Sequence, residues 1–112
     1  MVNRVPGAEK AVIPDNKIVR FLLDPEKKHY KEFVAVGYSK KDPDRLKRDL
    51  LEGLVTNTAQ AYEANEHGAS AFHVDMFLGV TRKARFRTAW QIDKDKDYPR
   101  FITAHRIGVN RK

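Results

Sequence analysis

The hydrophobic period of this chain changes once, at residue 69, from helical to two. Helical spacing and strict alternation need different backbones, so the switch predicts a helical part followed by a sheet. In "ASAFHVDMFLGV", Phe72, Val74, Met76, Leu78 and Val80 alternate with His73, Asp75, Phe77 and Gly79. After the short basic turn "TRKA", Phe86, Thr88, Trp90 and Ile92 alternate with Arg85, Arg87, Ala89 and Gln91. "DKDKDYP" makes a second turn, and "RFITAHRI" closes the sheet. Two short turns joining three strands predict an antiparallel meander.

Ahead of the switch the spacing predicts three helices. Asp15 caps the first, where Ile18, Phe21, Leu22 and Leu23 recur until "DPE" interrupts them. Pro25 begins the second, with Tyr30, Phe33 and Val34 on one side, and Gly37 stops it. The third and clearest reads through "KKDPDRLKRDLLEGLVTNTAQAY", opened by Asp42, Pro43 and Asp44. Its stripe is Leu46, Leu50, Leu54 and Ala61 or Tyr62, widened by Leu51 and Val55. Gly53 weakens its middle by about 1 kcal/mol relative to alanine. "EANEHG" reads as a loop.

Amphipathic helices must bury their stripes, and one face of the sheet is the available partner. The expected fold class is therefore α+β. An extended arm occupies 1–14, with "AVIP" as a short strand-like or docking segment, and a single domain 15–112. In that domain, helices in 15–64 pack on one face of an antiparallel meander of three to four strands in 69–109.

A chain of 112 residues, 41% hydrophobic and 33% charged, has room for one soluble domain with a modest core. No apolar run approaches the roughly 20 residues that span a bilayer. The start, "MVNRVPGAEKAVIP", lacks the apolar stretch of a secretion signal. The expected location is the cytoplasm, unless an export signal lies outside this chain. With no cysteine, disulfides, thiolate nucleophiles and cysteine-based zinc sites are excluded. Asp93, Asp95 and Asp97 fail as a calcium loop, because Tyr98 and Ala104 stand where glycine and glutamate are required. No histidine pair has the spacing of a zinc-binding helix, and no glycine-rich phosphate loop or serine nucleophile motif is present. Neither cofactor nor metal is expected.

Net charge is +7, and it is unevenly spread. Residues 15–67 carry ten Lys/Arg and ten Asp/Glu, whereas residues 68–112 carry ten Lys/Arg against four Asp, or +6. Solubility does not require charge to collect in one half; a polyanion such as RNA or DNA would be drawn to it.

If the helices cover the Phe72, Val74, Phe86 and Trp90 side, then His73, Asp75, Phe77, Arg85, Arg87 and Gln91 point away. On the closing strand, Ile102 and Ala104 suit the covered side, which sends Phe101, Thr103 and His105 to the open side. The opposite phase, with Phe101 and Ile107 inward, is the alternative. In the first phase the open face holds the groups a metal-independent ribonuclease uses. One imidazole takes the ribose 2′-hydroxyl proton and another protonates the leaving 5′-oxygen, so His73 and His105 are the acid–base candidates. Arg85, Arg87 and Arg100 are candidate phosphate and RNA holders, and Thr103 is an auxiliary donor. Phe77 and Phe101 would stack unpaired bases. His29 and His67 read as ordinary surface residues. The bland counterpart is a wet sheet face, which carries polar residues by default.

"AVIPDNKIVRFLLDPE", "KEFVAVGYS" and "FRTAWQID…YPRFITAHRI" together resemble a small bacterial domain family of unknown function, number 6883. Its members occur alone and as the terminal tip of polymorphic toxins. Leu22, Leu23, Pro25, Trp90, Pro99, Arg100, Thr103 and Ala104 carry the likeness, over about residues 11–107. The resemblance implies helices followed by an antiparallel sheet, a layout similar to the barnase, EndoU, colicin and RelE-like ribonucleases. It would place Thr103, Arg87 and Arg100 at the active site. One departure is "DPEKKHYKEF", where His29 falls near a lysine of the family pattern and Glu32 replaces a phenylalanine.

The expected function is a toxin-related ribonuclease acting on single-stranded or tRNA-like RNA, with an acidic immunity or antitoxin protein as partner. The rival is a non-catalytic module that binds nucleic acid or protein. An immunity protein against a basic toxin ranks last, because such a protein should be acidic.

Overall fold

A computed structural model describes residues 4–62 and 68–107. The loop read at 63–67 with His67, residues 1–3 and 108–112, and the capping side chain of Asp15 lie outside the described residues. The fold is α+β. A single antiparallel sheet has the strand order β1 (Ala59–Tyr62), β2 (Ser70–Leu78), β3 (Ala84–Ile92), β4 (Arg100–Arg106). Before it come α1 (Asp15–Lys17), which runs into a π-helical turn at Ile18–Leu22, then α2 (Tyr30–Ala35) and α3 (Pro43–Thr56).

Two helix boundaries differ from the sequence reading. The third helix does not run on to Ala61 and Tyr62. It ends at Thr56, whose hydroxyl donates to Glu52 O, while the Asn57 side-chain amide donates to Gly53 O. These side chains satisfy carbonyls the helix would otherwise leave open. Asn57 is already extended, and β1 follows. The second helix starts at Tyr30 rather than Pro25. Asp24 accepts the Glu26 N–H through its carboxylate and the Lys27 N–H through its carbonyl, so "DPE" is a turn held by aspartate. Within α2, Phe33 is buried but Val34 is exposed, and Val36 takes the inward position that follows. Gly37 ends the helix with φ at 103°, a conformation that favours glycine.

Leu46, Leu50 and Leu54 of α3 are fully buried with Val74, Met76, Phe86 and Trp90 of the sheet. Gly53 lets this helix lie close to β2: a Cβ there would run into Met76 Sδ and stand 3.0 Å from its Cε. Inside the core, Thr88 Oγ1 donates to Val74 O and accepts the indole N–H of Trp90, each at 2.7 Å. The one polar residue buried among those described is thus fully bonded.

Within the segment read as an extended arm, "AVIP" docks on the sheet as read, and the rest is packed down too. The segment forms a one-turn 3₁₀ helix at Ala8–Lys10, buries Val5 and Ile13, and bridges β4 in parallel at Val12 and Arg100. Lys10 pairs with Asp97 in the β3–β4 turn. Val12 therefore covers one end of β4's outer edge. Farther along, the Arg106 N–H donates to Glu32 Oε1 of α2 at 3.0 Å. Two outward N–H groups of this edge, those of Phe101 and Arg106, are thus satisfied within the chain. Among the described residues, no helix is long and apolar enough to cross a membrane.

Candidate functional site on the open sheet face

One extra residue in β4 decides what this face carries. Thr103 pairs with Ala89, and Phe101 with Trp90, so Ile102 is left between them as a β-bulge. A bulge lets residues on either side keep to different phases. Ala104 and Phe101 are both fully buried, while Thr103 and His105 are partly exposed beside Ala89 and Arg87. Phe101 is therefore no base-stacking residue. It packs edge-on against Trp90 at 5.2 Å within the core. Strand alternation alone could join Phe101 to Thr103 and His105 only by ignoring the bulge.

The outward residues form cross-strand rows. Gln60, His73, Ala89 and Thr103 make one row, and Asp75, Arg87 and His105 make the next. Ala89 leaves a low floor between His73 and Thr103. His73 and His105 share the face, but they flank β3 two strand spacings apart, about 10 Å, and are offset by two residues. His73 stacks instead on Tyr62, with ring centroids 4.1 Å apart. Burial lowers its pKa, and the charges of Arg87 and His105 act the same way against the opposing effect of Asp75. The ring is held towards its neutral form.

Asp75 organises the guanidiniums. Arg87 donates to it from Nε and Nη2, at 2.8 and 3.0 Å, and Arg85 approaches it at 3.4 Å. The Arg87 fork holds the Asp75 carboxyl below its usual range, more strongly than burial raises it. Arg100 sits apart, paired with Asp93 at the β3–β4 turn. Phe77 is 66% exposed and Tyr62 40%, both on the open side. These two rings lie beyond the histidine rows, at opposite ends of the face.

His29, which reads as ordinary surface in the sequence, joins the site. Phe33 anchors α2 beneath the sheet against Phe86, at 4.8 Å between ring centroids. From the start of that helix, His29 stacks on His105 with centroids 5.6 Å apart and planes 30° apart. Its Nδ1 lies 3.0 Å from Glu32 Oε1, the same oxygen that accepts the Arg106 N–H. The signal was the spacing His29-x-x-Glu32 at a helix start, which brings imidazole and carboxylate together.

Among the described residues, no group of three or more His, Asp or Glu could hold a metal ion. A hollow of about 440 Å³ lies elsewhere, along Asp44, Lys47, Arg48, Leu51 and Glu52 of α3. Its lining holds carboxylates and cations but no imidazole, hydroxyl or aromatic ring.

No curated protein and no solved structure matches the chain. The model of one family, described as a domain of unknown function (DUF6883), matches residues 4–108, nearly the whole length. Its span takes in the packed arm, all three helices and the four-stranded sheet, and the chain belongs to the DUF6883 family.

Proposed function

We propose that this protein cleaves unpaired RNA on its open sheet face, with imidazoles carrying the proton transfers. The supporting observation is the β4 bulge, which sets the Thr103 hydroxyl and the His105 imidazole outward beside Arg87. The ribose 2′-oxygen attacks phosphorus as its proton passes to a neutral imidazole. The P–O5′ bond breaks, and O5′ takes a proton from His105. The products are a 2′,3′-cyclic phosphate and a 5′-hydroxyl. Thr103 donates to a non-bridging oxygen, and Phe77 stacks a neighbouring base. The +6 charge of residues 68–112 favours a polyanion over a neutral substrate. An acidic protein would be the complementary inhibitor. The helix-then-sheet layout resembles the barnase and RelE-like ribonucleases, which is support by analogy only.

The test is incubation with single-stranded RNA and with tRNA in EDTA, followed by analysis of the product ends. Shortened RNA ending in 2′,3′-cyclic phosphate is expected, with His105→Ala slower by about 10²–10⁴-fold. RNA left intact at high protein excess would contradict the proposal.

A second reading, a non-catalytic binding module, draws on the pairing of Arg87 with Asp75 and of Arg100 with Asp93. Both guanidiniums then act as struts of the sheet. This reading expects salt-sensitive retention of RNA with no change in its length.

A further inference from the structure

Among the described residues, His29 and His105 are the two imidazoles that this fold brings into contact, at 5.6 Å between centroids. The pair is also built from behind. Glu32 Oε1 is fixed on one side by the Arg106 backbone N–H and lies 3.0 Å from His29 Nδ1 on the other. A carboxylate so placed accepts a hydrogen bond from Nδ1–H, and in the neutral ring that leaves the His29 Nε2 lone pair available. His73 is stacked on Tyr62 across β3, too far from His105 for one phosphate to join them directly. In an in-line displacement the attacking and leaving oxygens lie on opposite sides of one phosphorus, and each needs a proton partner within about 3 Å.

From this geometry we infer that His29 is the general base of the site and that Glu32 is the positioning residue that holds its tautomer. The inference rests on the RNA-cleavage reading. His29 Nε2 accepts the 2′-hydroxyl proton while His105 gives its proton to O5′, so the pair ends with its charge exchanged and solvent restores it. The charged and titratable groups about the pair include Glu32 on α2, Arg87, which is the register partner of His105 on β3, Asp75 paired with that Arg87, and His73 across β3. The carboxylate stabilises the His29 imidazolium that forms, as an orienting group behind a catalytic histidine does.

The experiment compares wild type with His29→Ala, Glu32→Gln and His105→Ala on a single-stranded RNA, with kcat/KM followed across pH. Histidine nitrogen shifts are read by NMR in the RNA-free proteins. His29→Ala should lose about 10²–10⁴-fold in kcat/KM. Glu32→Gln keeps an oxygen for the Arg106 N–H but removes the charge. Its rate should fall less, and its neutral His29 ring should lose the preference for Nδ1–H. A purely structural Glu32 would leave the tautomer unchanged. The neutral His29 ring should carry its proton on Nδ1 in wild type, a readout that needs no activity. An Nε2–H tautomer overturns the inference, as does His29→Ala at wild-type rate alongside an inactive His105→Ala, which leaves the cleavage reading standing. An inactive wild type removes both.

Discussion

Thr88 and Asp75 show how single polar side chains on adjacent strands serve opposite faces. Thr88 points inward and joins Val74 O to the Trp90 indole. Thr88→Val keeps the shape but leaves that N–H buried without an acceptor. It should cost about 1–3 kcal/mol, read as a shift of the denaturation midpoint at unchanged slope. Asp75 points outward and is held ionised by the Arg87 fork, as Asp93 is by Arg100. Their pKa values are lower in the folded chain than in the unfolded one. Their contribution is present above the unfolded values near 4 and is lost as pH falls through the folded ones. His73 is also lowered, chiefly by burial, so its loss begins higher, below about pH 6.5. Thermal midpoints should therefore fall in two stages on acidification. Asp75→Asn should flatten the lower stage, and His73→Gln the upper.

At the scale of elements, α3 and β4 carry opposite lessons. The leucine stripe of α3 was legible because three buried turns repeat one spacing. Its end was not, because Thr56 and Asn57 stop the helix through side-chain bonds that a hydrophobic pattern does not register. Gly53 reads as a weak point and is instead a packing requirement against Met76. Gly53→Ala should destabilise by about 1 kcal/mol despite the better helix propensity of alanine. A double-mutant cycle with Met76→Ala should recover part of that loss; strict additivity would count against the contact. In β4 the phase looked ambiguous because two phases are present, one on each side of Ile102. Deleting Ile102 should leave Phe101 inward and His105 outward in a now regular strand. Cooperative unfolding and unchanged accessibility of the His105 ring to diethylpyrocarbonate would show this, and burial of that ring would refute it.

Over the whole molecule, the sequence exposed the materials of the site better than their grouping. Alternation put His73 and Arg87 on one face and Thr103 and His105 beside them in one of two phases, and their register follows from strand pairing. His29 was hidden, because it reaches the sheet from a helix whose docking depends on Phe33 and Glu32, nearly 80 residues from His105 in sequence. Charge adds the last element: affinity for RNA should fall steeply with salt, as the counterions released by phosphate contacts enter an already concentrated solution. The most direct measurement is NMR shift mapping with a short RNA whose scissile 2′-hydroxyl is replaced by hydrogen. Perturbations centred on His29, Phe77, Thr103 and His105 are predicted. Shifts confined to the α3 surface, or none at low salt, would contradict an RNA-handling open face.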